Sequence, residues 1–244
     1  MANYTIGTLS SVGNAVTRNN FTLEPTDSRD VFKFSIGSTR DINLALTGIS
    51  SGDDADLTIY RDNGNGIFDV NDTFITNSLL NSNNDDSINL GDRSAGTYYA
   101  VVERYAPGSS GNVTYSLALS TANPSNLLAV DEKLGNITSD ITRSGSVNNT
   151  NTSDIYSFSI GYFKSVNINL SGLSADLDLK IIADVNNNRI IDSSDLVLTS
   201  SLGSTSSENL FLDDAGNYFA QVFQFGSASS NYTLTFDQST TTSA

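Results

Sequence analysis

The chain carries one ordered set of short blocks twice, and this repetition constrains its fold more than any other feature. Asp30-Val31-Phe32-Lys33-Phe34-Ser35-Ile36-Gly37 returns as Asp154-Ile155-Tyr156-Ser157-Phe158-Ser159-Ile160-Gly161. Leu46-Thr47-Gly48-Ile49 returns as Leu170-Ser171-Gly172-Leu173 at the same offset. Ala55-Asp56-Leu57 matches Ala175-Asp176-Leu177, Ala95-Gly96-Thr97-Tyr98-Tyr99-Ala100 matches Ala215-Gly216-Asn217-Tyr218-Phe219-Ala220, and Tyr115-Ser116-Leu117 matches Tyr232-Thr233-Leu234. Blocks that recur in order over so long a period are copies of a domain, since solenoid units run to about 20–50 residues. The joint is expected around Thr121-Ala122-Asn123-Pro124-Ser125, where apolar alternation stops and a proline appears. This gives domains over residues 1–121 and 126–244.

Within each copy the apolar residues alternate. Phe32, Phe34 and Ile36 alternate with Lys33 and Ser35, and Ile42, Leu44 and Leu46 with Asn43 and Ala45. Val166, Ile168 and Leu170 alternate with Asn167 and Asn169, and Tyr232, Leu234 and Phe236 with Thr233 and Thr235. Period two places one face of each strand on a core and the other in water, as in antiparallel sheets. Gly-, Asn- and Ser-rich breaks separate the runs, and no stretch holds a helical period. The expected fold is all-β: two tandem antiparallel β-sandwich domains, jelly-roll-like.

The residue types present exclude several chemistries. The 244 residues include no His and no Cys, which removes His-ligated zinc and haem, His-dependent nucleophilic triads, disulfides and iron–sulfur clusters. Twelve Lys and Arg against 27 Asp and Glu leave a net charge of −15, the wrong sign for nucleic acid or an anionic membrane surface. No run approaches the ~18 apolar residues of a membrane span, and the start Met1-Ala2-Asn3-Tyr4-Thr5 shows no classical signal peptide. Glutamate occurs only at Glu24, Glu103, Glu132 and Glu208, outside any evident catalytic pair. A non-enzymatic role is expected. Asn-x-Ser/Thr steps such as Asn20-Phe21-Thr22 and Asn231-Tyr232-Thr233 follow from the Asn- and Thr-rich composition, and Asp131-Glu132-Lys133 reads as a solvated linker.

One constellation carries chemistry, and it recurs at the same place in both copies. From Asp184 to Asp195, oxygen-bearing side chains fall at positions 1, 3, 5, 9 and 12: Asp184, Asn186, Asn188, Asp192 and Asp195. Ile190 at position 7 would add its backbone carbonyl. This is the spacing of an EF-hand-type calcium loop, in which alternate side chains turn inward to surround a hard cation that takes six to eight oxygens. Arg189 stands where the turn glycine is usual, and Asp195 replaces the usual Glu. Leu177, Leu179 and Ile181 before the loop and Leu196 and Leu198 after it read as strands, so the loop joins a β-hairpin. In the first copy Asn63, Asn65, Gly66, Ile67, Asp69 and Asp72 take positions 3, 5, 6, 7, 9 and 12, which leaves Arg61 at position 1. Asp62 substitutes only if that loop closes one residue shorter. The alternative for either loop is a plain Asp/Asn turn. Asp56, Asp86, Asp176, Asp178 and Glu208 lie near equivalent points in the two copies and read as solvated strand ends or as additional ligands.

The order Asp-x-Phe/Tyr-x-Phe, Leu-x-Gly, Ala-Asp-Leu, Ala-Gly-x-Tyr-Tyr/Phe and Tyr-x-Leu resembles the bacterial pre-peptidase C-terminal domain, over roughly residues 25–120 and 150–237. The resemblance implies a compact β-sandwich of the kind appended to secreted proteases, with calcium binding in related collagen-binding modules and an extracellular or cell-surface setting. The inserted loops are EF-hand-like or dockerin-like. The expected function is that of a non-catalytic calcium-binding module, with Ca²⁺ ordering a loop in each copy. The alternative is an accessory module that binds polysaccharide or a collagen-like extracellular protein. That alternative rests on Tyr99, Val101, Glu103 and Tyr105, and on Phe219, Gln221, Phe223 and Phe225, sharing the outer face of a late strand in each copy.

Overall fold

The computed structural model describes residues 1–106, 108, 111–200 and 203–240. Its described residues form strands and no helix, so no helix is long and apolar enough to cross a membrane. The chain divides into two compact units, Met1–Ala129 and Val130–Ala244.

The first unit holds β1 (Ala2–Thr8), β2 (Val16–Leu23), β3 (Arg29–Ile36), β4 (Arg40–Thr47), β5 (Asp54–Arg61), β6 (Thr73–Ser78), β7 (Asp86–Arg93), β8 (Gly96–Ala106) and β9 (Val113–Ser120). One sheet runs β1-β3-β8-β5-β6 and the other β2-β9-β4-β7. The second unit holds β10 (Glu132–Asn136), β11 (Ile141–Val147), β12 (Ser153–Ile160), β13 (Lys164–Ser171), β14 (Leu177–Ala183), β15 (Leu196–Ser200), β16 (Glu208–Leu212), β17 (Gly216–Gln224) and β18 (Ser230–Thr240). Its sheets run β10-β12-β17-β14-β15 and β11-β18-β13-β16, the same order strand for strand. The expected all-β sandwich architecture is what the chain adopts.

Three local features depart from the alternation argument. The first strand of each unit pairs parallel to the third, β1 with β3 and β10 with β12. The strand between them lies in the opposite sheet, so the chain reverses direction twice before it returns. Asp131-Glu132-Lys133 is no free linker: Glu132 opens β10 and ion-pairs with Arg143, and the Asp131 carboxylate accepts from the Ile155 N–H at 2.7 Å. Asn43, expected in water, is fully buried, and its amide donates to the Ala122 carbonyl at 2.7 Å. The segment after β9 turns back over the outer face of β4, held also by Thr121 Oγ1 donating to the Ser10 carbonyl at 2.6 Å.

The inward residues behave as their period requires. Phe32, Phe34, Ile42, Leu44, Leu57 and Ile59 belong to one buried cluster, and Phe158, Val166, Ile168, Leu179, Ile181 and Phe236 to its counterpart in the second unit. Each such side chain contributes roughly 1.5–3 kcal/mol by leaving water.

Each core also contains a tyrosine–aspartate hydrogen bond, joined in the second unit by the Tyr156 hydroxyl at 2.8 Å from that of Tyr232. Tyr115 of β9 donates to Asp30 Oδ2 of β3 at 2.5 Å, and Tyr232 of β18 donates to Asp154 Oδ2 of β12 at 2.5 Å. These are the Asp and Tyr that recur in the sequence blocks, and the pairing explains why an acid can open a strand whose next residues are apolar. Burial raises both carboxyls above their ordinary range, and the tyrosine hydroxyls partly offset this. A β-carbon at Gly145, opposite Tyr232 in the pairing of β11 with β18, would collide with the Tyr232 ring. The missing side chain is what lets that hydroxyl reach Asp154. Replacing Tyr115 by Phe strands the buried Asp30 carboxylate and should cost about 1.5–3 kcal/mol, the range for a hydrogen bond to a charged group, and replacing Tyr232 should cost less because Asp154 keeps the Asn151 amide. Urea unfolding of each variant checks this, and a loss below about 0.5 kcal/mol in Tyr115→Phe would refute the role.

Candidate functional site

The Asp/Asn loops close equivalent hairpins. Residues 62–72 join β5 to β6 above the pair Arg61–Thr73, and residues 184–195 join β14 to β15 above the pair Ala183–Leu196. In each loop the first and last carboxylates stand directly on the hairpin stem.

Both loops are built by backbone N–H groups donating to side-chain oxygens. In the second, Asp184 accepts from the N–H of Asn188 (3.2 Å) and Arg189 (2.9 Å), and Asn186 Oδ1 from Asn188 N–H (3.0 Å). Asn188 Oδ1 accepts from Ile190 N–H (2.7 Å), and Asp195 from the N–H groups of Val185 (3.0 Å) and Asp192 (2.9 Å). The first loop repeats the scheme. Asn63 Oδ1 accepts from Asn65 N–H (3.0 Å), Asn65 Oδ1 from Ile67 N–H (2.8 Å), and Asp72 from the N–H groups of Asn63 (3.0 Å) and Asp69 (2.9 Å). Asp62 accepts from the N–H groups of Gly64 (3.0 Å) and Gly66 (2.9 Å), the second matching the bond from Arg189 to Asp184. The first loop therefore closes one residue shorter, with Asp62 in the first position. Arg61 points away, donating to Ser94 Oγ at 2.8 Å.

The position-9 acids collect the carboxamide donors. Asp192 accepts from Ser194 through Oγ (2.6 Å) and N–H (2.8 Å), and from the amides of Asn188 (2.8 Å) and Asn186 (3.1 Å). Those bonds, the Ser194 hydroxyl first, hold its carboxyl well below the usual range. Asp69 is lowered as well, chiefly by the Asn71 N–H and then by the Asn65 amide. In both loops two carboxamides from positions 3 and 5 thus converge with the position-9 carboxylate. The side-chain donor set is oxygen-rich, with three carboxylates and two carboxamides in each loop, and so has the chemistry of a hard cation site. Among the described residues no three His, Cys, Asp or Glu side chains are grouped so as to hold a metal by themselves, so any ion in these loops would depend on the asparagines.

The turn at position 6 is left-handed in both loops, with φ 74° at Gly66 and 63° at Arg189. Glycine adopts this freely. Arg189 lies with its guanidinium 5.3 Å from the Phe219 ring centroid. In the first loop Tyr99, at the place of Phe219, instead donates its hydroxyl to Asp62 Oδ1 at 2.9 Å, and Lys33 donates to the Gly66 carbonyl at 2.7 Å. Composition and spacing gave no sign of these supports.

The outer-face aromatics are largely covered. Tyr99 is 2% exposed and Val101 1%, and both pack with Tyr60 and Phe68. Phe68 belongs to the loop, so the insertion itself roofs the face that was expected to be open. Gln221 and Phe223 are buried too, Phe223 beneath Lys180 at 4.6 Å. Tyr105 and Phe225 remain exposed, too few to form a stacking platform.

The acids expected as solvated strand ends are not solvated in three cases: Asp86, Asp178 and Glu208 are buried. Ser78 donates to Asp86 at 2.5 Å, and Ser200 donates to Glu208. A serine eight residues before the acid in both copies was a signal that could have revealed them.

Residues 28–104 match the family model of the bacterial pre-peptidase C-terminal domain. This stretch contains β3 to β7, most of β8 and the first Asp/Asn loop. No curated protein matches the chain. Among solved structures, the pre-peptidase C-terminal domain of a collagenase from Bacillus anthracis is similar at 20% identity, covering 48% of this chain and 93% of its own, with a TM-score of 0.34. PliG from Aeromonas hydrophila, a periplasmic inhibitor of g-type lysozyme, aligns at 12% identity over 49% of this chain and 96% of its own, with a TM-score of 0.31. The Yersinia pseudotuberculosis-derived mitogen aligns at 16% identity over 46% and 89%, also with a TM-score of 0.31.

The buried acids make a pH signature. Asp56 and Asp86 are both pushed up to about 6, by burial first; Asp54 and Glu103 add to the rise of Asp56, and Asp56 and Asp54 to that of Asp86. A carboxyl whose native pKa exceeds its unfolded value of about 3.9 binds its proton more tightly when folded, so stability rises as pH falls through that interval. The lowered loop acids act oppositely, but only below about pH 4. In calcium-free buffer the melting temperature should therefore climb between about pH 7 and about pH 5, with a shallower climb in Asp86→Asn. A flat or falling profile would contradict this placement of the acids.

Proposed function

We propose that the chain is a non-catalytic, calcium-binding β-sandwich module of an extracellular or cell-surface bacterial protein, built from two copies of a pre-peptidase C-terminal-like domain. The observation that carries the reading is the pair of matched hairpin loops, each of which gathers oxygen side chains at the same positions by the same backbone bonds. Asp184, Asn186, Asn188, Asp192, Asp195 and the Ile190 carbonyl would hold the ion in one loop. Asp62, Asn63, Asn65, Asp69, Asp72 and the Ile67 carbonyl would hold it in the other. The asparagine N–H groups now directed at Asp69 and Asp192 neutralise part of the charge that a cation would neutralise more fully, and binding exchanges those contacts for Asn oxygen–metal bonds. The ion supplies a charge that fixes the loop. In the first copy this also fixes Phe68 over Tyr99 and Val101.

Affinity is expected in the ~10⁻⁴–10⁻³ M range of extracellular modules, where calcium concentrations are sufficient to fill such sites. Catalysis is not part of the reading, because a chain without His or Cys offers no group that ordinarily titrates near neutrality as a general base. Binding to the native state alone stabilises it by mass action. Thermal melts in about 10 mM Ca²⁺ should lie about 4 °C or more above melts in chelator. Asp184→Ala and Asp69→Ala should each remove part of that rise, and the double variant all of the loop contribution. Identical melts with calcium and with chelator would sink the proposal.

A further inference from the structure

In this asparagine-rich chain Asn precedes Gly at two places, Asn63-Gly64 and Asn65-Gly66, and both lie in the first loop. A peptide nitrogen can close on the side-chain carbonyl carbon of the asparagine before it. Glycine at the attacking position neither crowds that approach nor resists the turn it requires. Gly64 and Gly66 take φ values of 104° and 74°, and Asn63, Gly64 and Asn65 are exposed to the water such a reaction consumes. One carboxylate faces both attacking nitrogens: Gly64 N–H donates to Asp62 Oδ2 at 3.0 Å and Gly66 N–H to Asp62 Oδ1 at 2.9 Å. The side-chain amides that would leave are held on Asp69, Asn63 Nδ2 at 3.4 Å and Asn65 Nδ2 at 2.8 Å. Nucleophile, base and leaving group stand together in one short arc, the condition under which proximity and general-base assistance act together.

We propose that Asn63 and Asn65 are self-modification sites, at which the first loop deamidates itself with Asp62 as the general base. Gly66 N bonds to Asn65 Cγ while its proton passes to Asp62. The Cγ–Nδ2 bond then breaks, and the amide departs as ammonia carrying that proton, leaving a five-membered succinimide. Water opens the ring at either carbonyl, giving aspartate in one case and isoaspartate, with the backbone rerouted through the side chain, in the other. Asn63 reacts in the same way with Gly64 N. Each site consumes one water and releases one ammonia. Each event also turns a carboxamide into a carboxylate, withdraws an N–H donor from Asp69 and adds a negative charge to a loop that already holds three carboxylates. The first loop therefore changes with age, and the reaction needs no metal. The second loop has the matching carboxylate contact, Arg189 N–H on Asp184 at 2.9 Å, but a side chain on the attacking residue, and Asn186 is followed by Asn187. It is a control built into the same chain.

The test incubates the full chain in chelator at neutral pH, so that the outcome does not depend on whether the loops hold calcium. Peptide mapping by mass spectrometry then scores the exchange of NH₂ for OH at each asparagine, with electron-transfer fragmentation to separate isoaspartate from aspartate. Modification at Asn63 and Asn65 should outrun that at Asn186 and Asn188 by about tenfold or more. Gly66→Ala should suppress the reaction at Asn65 and spare Asn63, and Arg189 shows that a side chain is accommodated at this turn with φ 63°. Asp62→Ser keeps an acceptor for the two glycine N–H groups but no base, and should slow both sites by about tenfold or more. Equal rates in the two loops overturn the proposal, as does an undiminished rate in Asp62→Ser.

Discussion

The position of the loops depends on the pairing of one central strand in each unit. β8 lies between β3 and β5, and β17 between β12 and β14, with Ala100, Val102, Ala220 and Val222 fully buried along their inner faces. Neighbouring strands stand about 4.8 Å apart, so a strand paired on both sides has no freedom to shift register without turning its core residues outward. β5 and β14 inherit that fixity and carry it to the hairpin stems. Asp62 and Asp184 are placed by the core, several residues away, before any loop interaction acts on them.

The same residue type then serves opposite ends according to what surrounds it. In the loops, Asp69 and Asp192 collect backbone and amide N–H donors, and the ionised form is favoured. At the start of β7 an aspartate enters the sandwich with one serine, one backbone N–H and no counter-charge, and the neutral form gains. The Asp30–Tyr115 and Asp154–Tyr232 pairs stand between these cases: burial penalises the charge, and a tyrosine hydroxyl answers it, joined at Asp154 by the Asn151 amide. A net charge of −15 is therefore not a uniform property of this chain but a set of local solutions with different signs.

The fold was legible because alternation reports directly which residues face inward, and because the duplicated blocks fall on equivalent strands. The loops were legible because oxygen at alternate positions is a pattern in the chain itself. Alternation does not say what covers the outward face. Asn43, Tyr99 and Val101 read as solvent-facing and are buried, the first by the segment after β9 and the other two by Phe68. The parallel pairing of β1 with β3 escapes the sequence for a related reason: it depends on which sheet β2 joins, and both sheets present the same period. Asp86 and Glu208 were seen as recurring acids, and the serine eight residues before each, Ser78 and Ser200, was the unread sign that they turn inward.

The two loops differ in a coupled way. A left-handed residue at the turn costs an L-amino acid about 1–2 kcal/mol, and glycine avoids that cost. The first copy has Gly66 and is one residue shorter, so Asp62 must reach the first position from a shorter arc; the Tyr99 hydroxyl and the Lys33–Gly66 bond hold the arc in place. The second copy keeps the full length but carries Arg189 at the turn. There the ring equivalent to Tyr99 has no hydroxyl, and Phe219 offers its face to the guanidinium, a contact worth about 0.5–1 kcal/mol when exposed. That offsets roughly half of the backbone strain. One position on the central strand thus repairs a different defect in each copy: by a hydroxyl where the first carboxylate needs support, and by an aromatic face where the turn does.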